Sequence, residues 1–341
     1  MSTGAQAHPS PQLFFDSMFA FKRTTALVAA IELDLFTAIA ELKSPLSAAE
    51  VARRIGASER GTRILCDFLT IQGFLAKGPN GYEATPDTAM FLDRKATTCV
   101  AGAARFLALP PIKEMAHQLA EAVRKGGTVM PEGGSIAPEH EMWIDFARGM
   151  GPLMYPAAEG IARVLGAEKG EPWKVLDIAA SHGMFGITIA RHNPNAQIVA
   201  LDWKNVLEVT RENGQKAGLD GRLRTLPGSA FDVEFGGGYD VVLLTNFLHH
   251  FDSATNVKLL DKCRRALKPG GRAAVLEFVP NEDRVTPPFP AAFSMTMLEG
   301  TPSGDAYTLR ELTQMALAAG YRNVQSHPLE YHPETVLVFE N

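Results

Sequence analysis

The run Lys174-Val-Leu-Asp-Ile-Ala-Ala-Ser-His-Gly-Met-Phe-Gly-Ile-Thr-Ile-Ala190 constrains this chain more than any other segment. Its first residues read as a buried strand, the small residues after them as a tight turn, and the apolar run after Gly183 as a helix. A second apolar run closes on Asp202, 25 residues after Asp177. Strand, small-residue turn, helix, strand and acid in that order is how α/β proteins hold an adenosine ribose. The acid accepts from the ribose hydroxyls, and the small residues let the ligand approach the backbone. The C-terminal half is therefore expected to bind a nucleoside-like cofactor.

The turn narrows the choice. A dinucleotide needs G-x-G-x-x-G, because its pyrophosphate must come close to the backbone. Here Ala179 and Ser181 occupy the first two glycine positions, and only Gly183 and Gly186 remain. A methyl group at Ala179 is a poor host for pyrophosphate and a tolerable one for a phosphate-free ligand such as S-adenosylmethionine. A methyltransferase is favoured over an NAD or FAD site, and a turn that binds nothing stays open.

At 341 residues the chain is long for one core, so more than one domain is expected. Its 46% apolar and 21% charged residues describe an ordinary globular protein, and a net charge of −5 offers no basic field to nucleic acid. Cys66, Cys99 and Cys263 stand singly, as reduced thiols do in a cytoplasmic protein, with no zinc or disulfide spacing. No metal-ligand spacing appears elsewhere, and no metal is expected. The polar stretch Met1–Gln12 reads as a short loose tail, and no run reaches membrane-spanning length.

Residues 14–39 carry helical apolar spacing with a break near Asp34. Ser47 with Glu50 forms a capping-box spacing, and Ser58 can cap a helix running to about Gln72. Two short strands around Lys77-Gly-Pro-Asn-Gly81 then predict a hairpin, which completes a winged-helix layout. The would-be recognition helix carries only Arg60 and Arg63, and residues 1–100 hold ten basic and ten acidic side chains. DNA contact needs a clustered positive face, so dimerisation or packing is the expected role. Residues 98–163 read as helical with a Gly/Pro-rich break at 125–138. Beyond Trp173, strands at 174–178, 197–201, 239–244, 272–278 and 335–340 alternate with helices near 185–192, 205–217, 254–267 and 309–319. Such alternation predicts a mostly parallel sheet with helices on both faces.

Gly228-Ser-Ala-Phe231, the strand Tyr239–Asn246 with Phe247-Leu-His-His-Phe-Asp252, and Leu267-Lys-Pro-Gly-Gly-Arg272 follow Asp177 and Asp202 in a telling order. From about Phe14 to its end, the chain resembles the class I S-adenosylmethionine-dependent O-methyltransferases that carry an N-terminal winged-helix dimerisation domain. That group includes caffeate-type, acetylserotonin-type and bacterial polyketide-tailoring enzymes. The resemblance implies an α/β chain with a Rossmann-like doubly wound sheet. It implies a dimerisation domain over 1–100, a helical connector over 101–165 and a methyltransferase domain over 166–341. It further implies S-adenosylmethionine as cofactor and S-adenosylhomocysteine as product.

The family's Asp-x-Gly-x-Gly-x-Gly appears as Asp177 to Gly183, with Ala179 and Ser181 replacing two glycines. Asp202 matches the ribose acid and Trp203 the residue that covers the adenine. Gly228-Ser-Ala-Phe231 stands for Gly-Asp-Met-Phe, which places Ser229, Ala230 and Phe231 near the adenine. Phe146 and Met150 match a Phe-x-x-x-Met pair near the methionine part, and Thr245, Asn246 and Phe247 line the strand end. The general base of the plant enzymes aligns with His249 and its first steering acid with Glu277. The second acid falls on Ala306. Asp305 substitutes for it, or His249 keeps one orienting partner, or the base is not used in that way. His250 is expected to be structural; a bland alternative has both histidines capping a helix near Ser253.

The chemistry stands without the family. Methyl transfer needs an in-line nucleophile about 3 Å from the carbon, and much of the rate comes from positioning. A phenol of pKa about 10 must lose its proton, and an imidazole of ordinary pKa about 6.5 can take it near neutral pH. A carboxylate then fixes the tautomer. Phe247 could face a sulfonium by cation–π contact. Residues 285–298 are expected to cap the cleft, with Phe289, Phe293, Met295, Met297 and Met154 gripping a flat apolar acceptor. The expectation is a cytoplasmic homodimeric O-methyltransferase of secondary metabolism, with a small aromatic or polyketide-like acceptor and no nucleic-acid or membrane partner. C- or N-methylation, a divergent non-methylating member and a cofactor-sensing regulator stay open.

Overall fold

The computed structural model describes residues 9–42 and 44–341. The tail expected over Met1–Gln12 thus falls, up to residue 8, outside the described residues. The chain divides into two compact units, one ending at Ala108 and one spanning Leu109–Asn341.

The first unit contains α1 (Gln12–Glu32), α2 (Leu35–Ala40), α3 (Ala48–Ile55), α4 (Glu59–Ile71), β1 (Leu75–Gly78), β2 (Gly81–Ala84), α5 (Pro86–Phe91) and α6 (Ala101–Leu107). Asp34 sits at φ +57° between α1 and α2, so the chain turns where the helical spacing broke. Ser47 and Glu50 close a reciprocal capping box on α3, and the Ser58 hydroxyl accepts from Gly61 N–H on α4. The antiparallel pair β1–β2 forms the wing of the predicted layout. Leu35, Phe36, Val51, Cys66 and Leu69 are among the buried side chains of this unit's core. On α4, Arg63 is paired with Asp67 at 2.9 Å.

The second unit begins with α7 (Pro110–His117), α8 (Leu119–Lys125) and the long α9 (Met142–Leu165). The sheet system follows: β3 (Lys174–Ile178), α10 (Met184–His192), β4 (Gln197–Asp202), α11 (Leu207–Lys216), β5 (Leu223–Pro227), β6 (Tyr239–Thr245), α12 (Ser253–Ala266) and β7 (Leu267–Glu277). It ends with α13 (Pro288–Gly300), α14 (Leu309–Ala318), β8 (Asn323–Pro328) and β9 (Thr335–Glu340). The seven strands run in the order β5-β4-β3-β6-β7-β9-β8, all in one direction except β9, which is antiparallel to its neighbours β7 and β8. Alternate residues of one strand feed two cores. Val175, Val241 and Leu243 join the core on the α9 and α10 side, whereas Leu176, Val242 and Leu244 join the one against α12 and α14. This is why the central strands read as unbroken apolar runs.

Strands β5 and β8 went unread in the sequence. Both lie at sheet edges with mixed polar residues and only partial burial, so neither shows an apolar run. Strand β7 starts at Leu267 rather than Arg272, because the Lys-Pro-Gly-Gly segment pairs past a bulge opposite Tyr239 and Val241. Residues 288–300 form a regular helix. Among the described residues, no helix is long and apolar enough to cross a membrane.

Candidate active site

The strand order reverses between β3 and β6, which leaves a crevice beyond their carboxyl ends. Ligands of open α/β sheets bind at such a switch point. The turn after β3 holds Ala179 at φ +54°, Ser181 at +52° and Gly183 at +74°. The left-handed geometry that glycine favours is thus kept with an alanine and a serine in place, at a cost of roughly 1–2 kcal/mol each. Neighbours satisfy the turn's backbone: Ala180 N–H donates to Leu201 O, Thr210 Oγ1 to Ser181 O, and Asn213 Nδ2 to His182 O.

Asp202 caps β4 with both oxygens engaged, Oδ2 accepting from Ser181 N–H at 2.8 Å and Oδ1 from Trp203 N–H at 2.6 Å. Burial nevertheless pushes its carboxyl up to about 6. Asp177 accepts from Gly186 N–H at 3.0 Å, and its Oδ1 is buried without a partner. Desolvation first, helped by the Asp202 charge, raises it to about 7. Ser181 Oγ and Asn246 Oδ1 are also buried without partners. Asn246, at φ +54°, follows Thr245 at the end of β6, and its Nδ2 donates to Met154 Sδ at 3.6 Å. Gly228 N–H donates to Asp202 O, and Ser229 Oγ accepts from Phe231 N–H. Ala230 is buried in the core beneath, while the Phe231 ring meets Phe251 at 4.9 Å.

Helix α9 adds one face to this crevice. Trp143, Phe146, Met150 and Met154 recur at steps of three and four, which aligns them on one side. Trp143 packs edge-on against Phe146 and His250, Trp203 joins a small cluster with Ala147, Val206 and Val209, and Met150 packs on the core of β3 and α10.

The ends of β6 and β7 bring together the second group. His249 Nδ1 lies 2.6 Å from Glu277 Oε2, and both side chains are 3% exposed. The other oxygen, Oε1, accepts from the backbone N–H groups of Phe247, Leu248 and His249 at 3.1, 2.9 and 3.3 Å. Glu277 therefore fixes both the imidazole and the chain that carries it. The His249 ring meets Phe293 edge-on at 4.9 Å, and Phe293 lies 4.2 Å from Phe278. No protein group among the described residues hydrogen-bonds His249 Nε2. His250 lies with its centroid 4.5 Å from that of His249, its Nδ1 without a partner. Burial first, then the neighbouring His249, holds it well below the ordinary value, so it stays neutral. Neither histidine caps α12, because Asp252 does, accepting from Thr255 N–H at 2.8 Å.

Asp305 does not stand in for the missing second acid. Its carboxylate is bound by Arg284 at 3.0 Å, and Ala306 is fully buried with no polar side chain. His249 keeps one orienting carboxylate. Of the residues expected to grip an acceptor, Phe293 touches the His249 ring, Met154 lies against Asn246 and Met297 is buried one turn beyond Phe293. Phe289 is 62% exposed with its ring 5.6 Å from Phe278. Met295, half exposed, follows Phe293 by two positions, which at about 100° per residue turns it to the other side of α13.

Sequence reasoning missed His182 and Trp143. His182 is buried in the turn, stacked on Phe146 at 6.4 Å and 15°, and desolvation brings it down to about 4. It occupied a variable position of the glycine pattern, the only signal being a polar ring amid small residues. No cluster of three or more His, Cys, Asp or Glu among the described residues could hold a metal ion.

Comparison with known proteins agrees with this fold. The O-methyltransferase dimerisation domain matches residues 15–94 and the O-methyltransferase domain residues 166–322. A solved structure from Nostoc punctiforme PCC 73102, provisionally described as an O-methyltransferase, is 47% identical. It superposes with a TM-score of 0.94 over 98% of this chain and 100% of its own. This chain belongs to the O-methyltransferase family. The 3-hydroxy-5-methyl-1-naphthoate 3-O-methyltransferase of Streptomyces sahachiroi is 29% identical over 93% of this chain and 91% of its own. The tetracenomycin polyketide synthesis 8-O-methyl transferase of Streptomyces glaucescens is 27% identical over 94% and 93%. Human N-acetylserotonin methyltransferase in complex with S-adenosylmethionine shares the fold, at a TM-score of 0.86 over 99% of each chain and 21% identity.

Proposed function

We propose that this enzyme moves the methyl group of S-adenosylmethionine to a hydroxyl of a small aromatic or polyketide-like acceptor, with His249 as general base. The observation that carries the reading is the buried 2.6 Å contact between His249 Nδ1 and Glu277, which leaves Nε2 open. A carboxylate on Nδ1 keeps the proton there and makes Nε2 the lone-pair acceptor. The acceptor hydroxyl gives its proton to Nε2 as its oxygen takes the methyl group in line, and Glu277 stabilises the imidazolium that forms.

The residues at the switch point fit the cofactor. Asp202 would take the ribose hydroxyls, and Trp203, Ser229, Ala230 and Phe231 would border the adenine. The unpartnered Ser181 Oγ and Asn246 Oδ1 offer polar atoms beside a turn whose small residues admit a ligand, with Asp177 and Gly183 shaping its backbone. Phe146, Met150, Thr245 and Phe247 would surround the methionine end. When bound, the sulfonium supplies an electrophilic methyl carbon. Phe293, Met154 and Met297 would contact a flat acceptor, with Phe289 and Met295 nearer its rim. The hydroxynaphthoate named for one Streptomyces relative supports a fused-ring acceptor, and the polyketide synthesis named for the other supports a polyketide-like one.

A His249→Asn variant is expected to lose about 10²- to 10⁴-fold in turnover of a hydroxynaphthoate while calorimetry shows unchanged S-adenosylmethionine binding. Undiminished turnover removes the base assignment.

A homodimer through the N-terminal unit is part of the same proposal. On α1, Leu13, Phe14, Met18, Phe19 and Phe21 are each 60% or more exposed, an apolar face that a lone chain would leave in water. A Phe14→Asp/Met18→Asp variant should sediment as a monomer; a dimer of unchanged affinity would place the interface elsewhere. Three free cysteines, two of them buried, fit a reducing cytoplasm. A disulfide among them in protein isolated without reductant would count against that location.

A further inference from the structure

Arg284 and the segment it grips form a second device around His249. The segment 304–307 lies directly on the backbone of the His249 region. Asp305 N–H donates to His249 O at 2.9 Å, and Tyr307 Oη donates to Phe251 O at 2.5 Å. The approach is so close that a Cβ at Gly304 would stand 2.2 Å from His249 O and 2.9 Å from the His250 carbonyl carbon. Any outward movement of 304–307 therefore breaks the bond to His249 O and leaves Glu277 to hold the backbone that carries the imidazole.

Arg284 holds that segment in place. Its Nη1 donates to Asp305 Oδ2 at 3.0 Å and to Ala306 O at 2.9 Å. Its Nη2 donates to both oxygens of Glu311 at 2.5 and 2.6 Å. Glu311 in turn closes the capping box of α14 through Thr308, which anchors the far end of the segment. The fork geometry of a guanidinium suits this, since one planar group joins two carboxylates and a carbonyl. Arg284 itself sits in a loop fixed by Asp283, whose carboxylate accepts from Val285 N–H, Thr286 N–H and Thr286 Oγ1. That loop leaves the end of β7, where Glu277 lies. One strand end thus supplies Glu277 to the imidazole and, seven residues on, Arg284 to the backbone clamp.

We propose that Arg284 is a positioning residue for His249, and that its clamp on 304–307 takes over the orienting task a second carboxylate would perform at position 306. The proposal rests on His249 as the base, but it concerns the ring's placement and can be tested without turnover. Nitrogen-15 spectra of the full-length protein, labelled in histidine and saturated with S-adenosylhomocysteine, report the tautomer of each imidazole. The His249 signals are assigned by their loss in His249→Asn.

In the parent protein the His249 signals should be those of a single Nδ1–H tautomer. In Arg284→Gln they should shift toward a mixture of tautomers, with faster exchange of the Asp305 amide. Arg284→Lys, which keeps the charge and loses the fork, should fall between the two and guards against a glutamine variant that does not fold. Unaltered His249 signals in folded Arg284→Gln or Arg284→Lys overturn the proposal. Failure of the base assignment is read separately, from the turnover of His249→Asn. In kinetics, Arg284→Gln should lower kcat about tenfold at unchanged KM for S-adenosylmethionine and add nothing to His249→Asn. Independent, multiplying losses would mean that Arg284 does not act through His249.

Discussion

The two ends of the crevice are built on different principles. At the β3–β4 end, the site is mostly backbone: left-handed residues at 179, 181 and 183, N–H groups donated to Asp202, and turn carbonyls tied to α11. At the β6–β7 end it is a single contact between side chains, His249 with Glu277, inside an aromatic wall. Backbone geometry tolerates exchange of side chains, which is how Ala179 and Ser181 can replace glycines and keep the turn. A buried imidazole–carboxylate pair tolerates no such exchange, because either partner alone would be left with an unmet polar group. The first end can drift in sequence and still hold its shape; the second must keep its identities.

Substitutions can break that contrast. Glu277→Gln carries the largest expected effect. It removes the charge that fixes the His249 tautomer and disturbs an oxygen that accepts three backbone N–H groups. Turnover should fall by roughly 10²- to 10⁴-fold, and urea unfolding should show a loss of about 1–3 kcal/mol. Retention of both would mean that the β7 carboxylate is a bystander.

Asp202→Asn probes the other end and should act on affinity. Loss of a charged acceptor is expected to weaken S-adenosylmethionine binding by about tenfold or more. The pH dependence sharpens this. Burial raises Asp202 from its ordinary 3.8 to about 6 in the free protein. Ligand hydroxyls donate to the ionised form, so binding should tighten as pH climbs through 6 and level off above, a trend lost in Asp202→Asn. Stability of the ligand-free protein runs the opposite way. Between the ordinary value and those of Asp202 and Asp177, about 6 and about 7, the folded state holds more protons than the unfolded one. The contribution of these two groups to stability is therefore greatest in acid and falls as pH rises to 7. Calorimetric titrations from pH 5 to 8 test the first trend and urea midpoints the second; a flat profile in both would mean that Asp202 titrates as an ordinary surface acid.

Ala179→Gly carries the smallest effect. Relief of the left-handed alanine should stabilise the protein by up to about 1 kcal/mol with turnover unchanged. A loss of stability would show that the alanine methyl packs usefully in the turn.

Much of this was legible in the residues. The β3–α10–β4 unit, the Ser47 capping box and Ser58 cap of the first unit and the central strands followed from period, caps and apolar runs. Edge strands β5 and β8 did not, because their half-buried, polar residues give no run to detect. The Asp177 and Asp202 pair was readable from spacing, and His249 with Glu277 from the family resemblance. The direction taken by Asp305 was not readable, since it depends on Arg284, 21 positions away. His182 and Trp143 were hidden for the same reason: their roles arise from ring contacts made by α9.

The central claim is that His249 removes the acceptor's proton. It is tested most directly by initial methyl-transfer rates of the parent protein and His249→Asn across a series of substituted hydroxynaphthalenes of falling phenol pKa. The account predicts a large rate ratio for phenols that are protonated at the assay pH and near-equal rates for those already ionised. A ratio that stays constant across the series would contradict it, and would leave His249 as a shaping residue rather than a base.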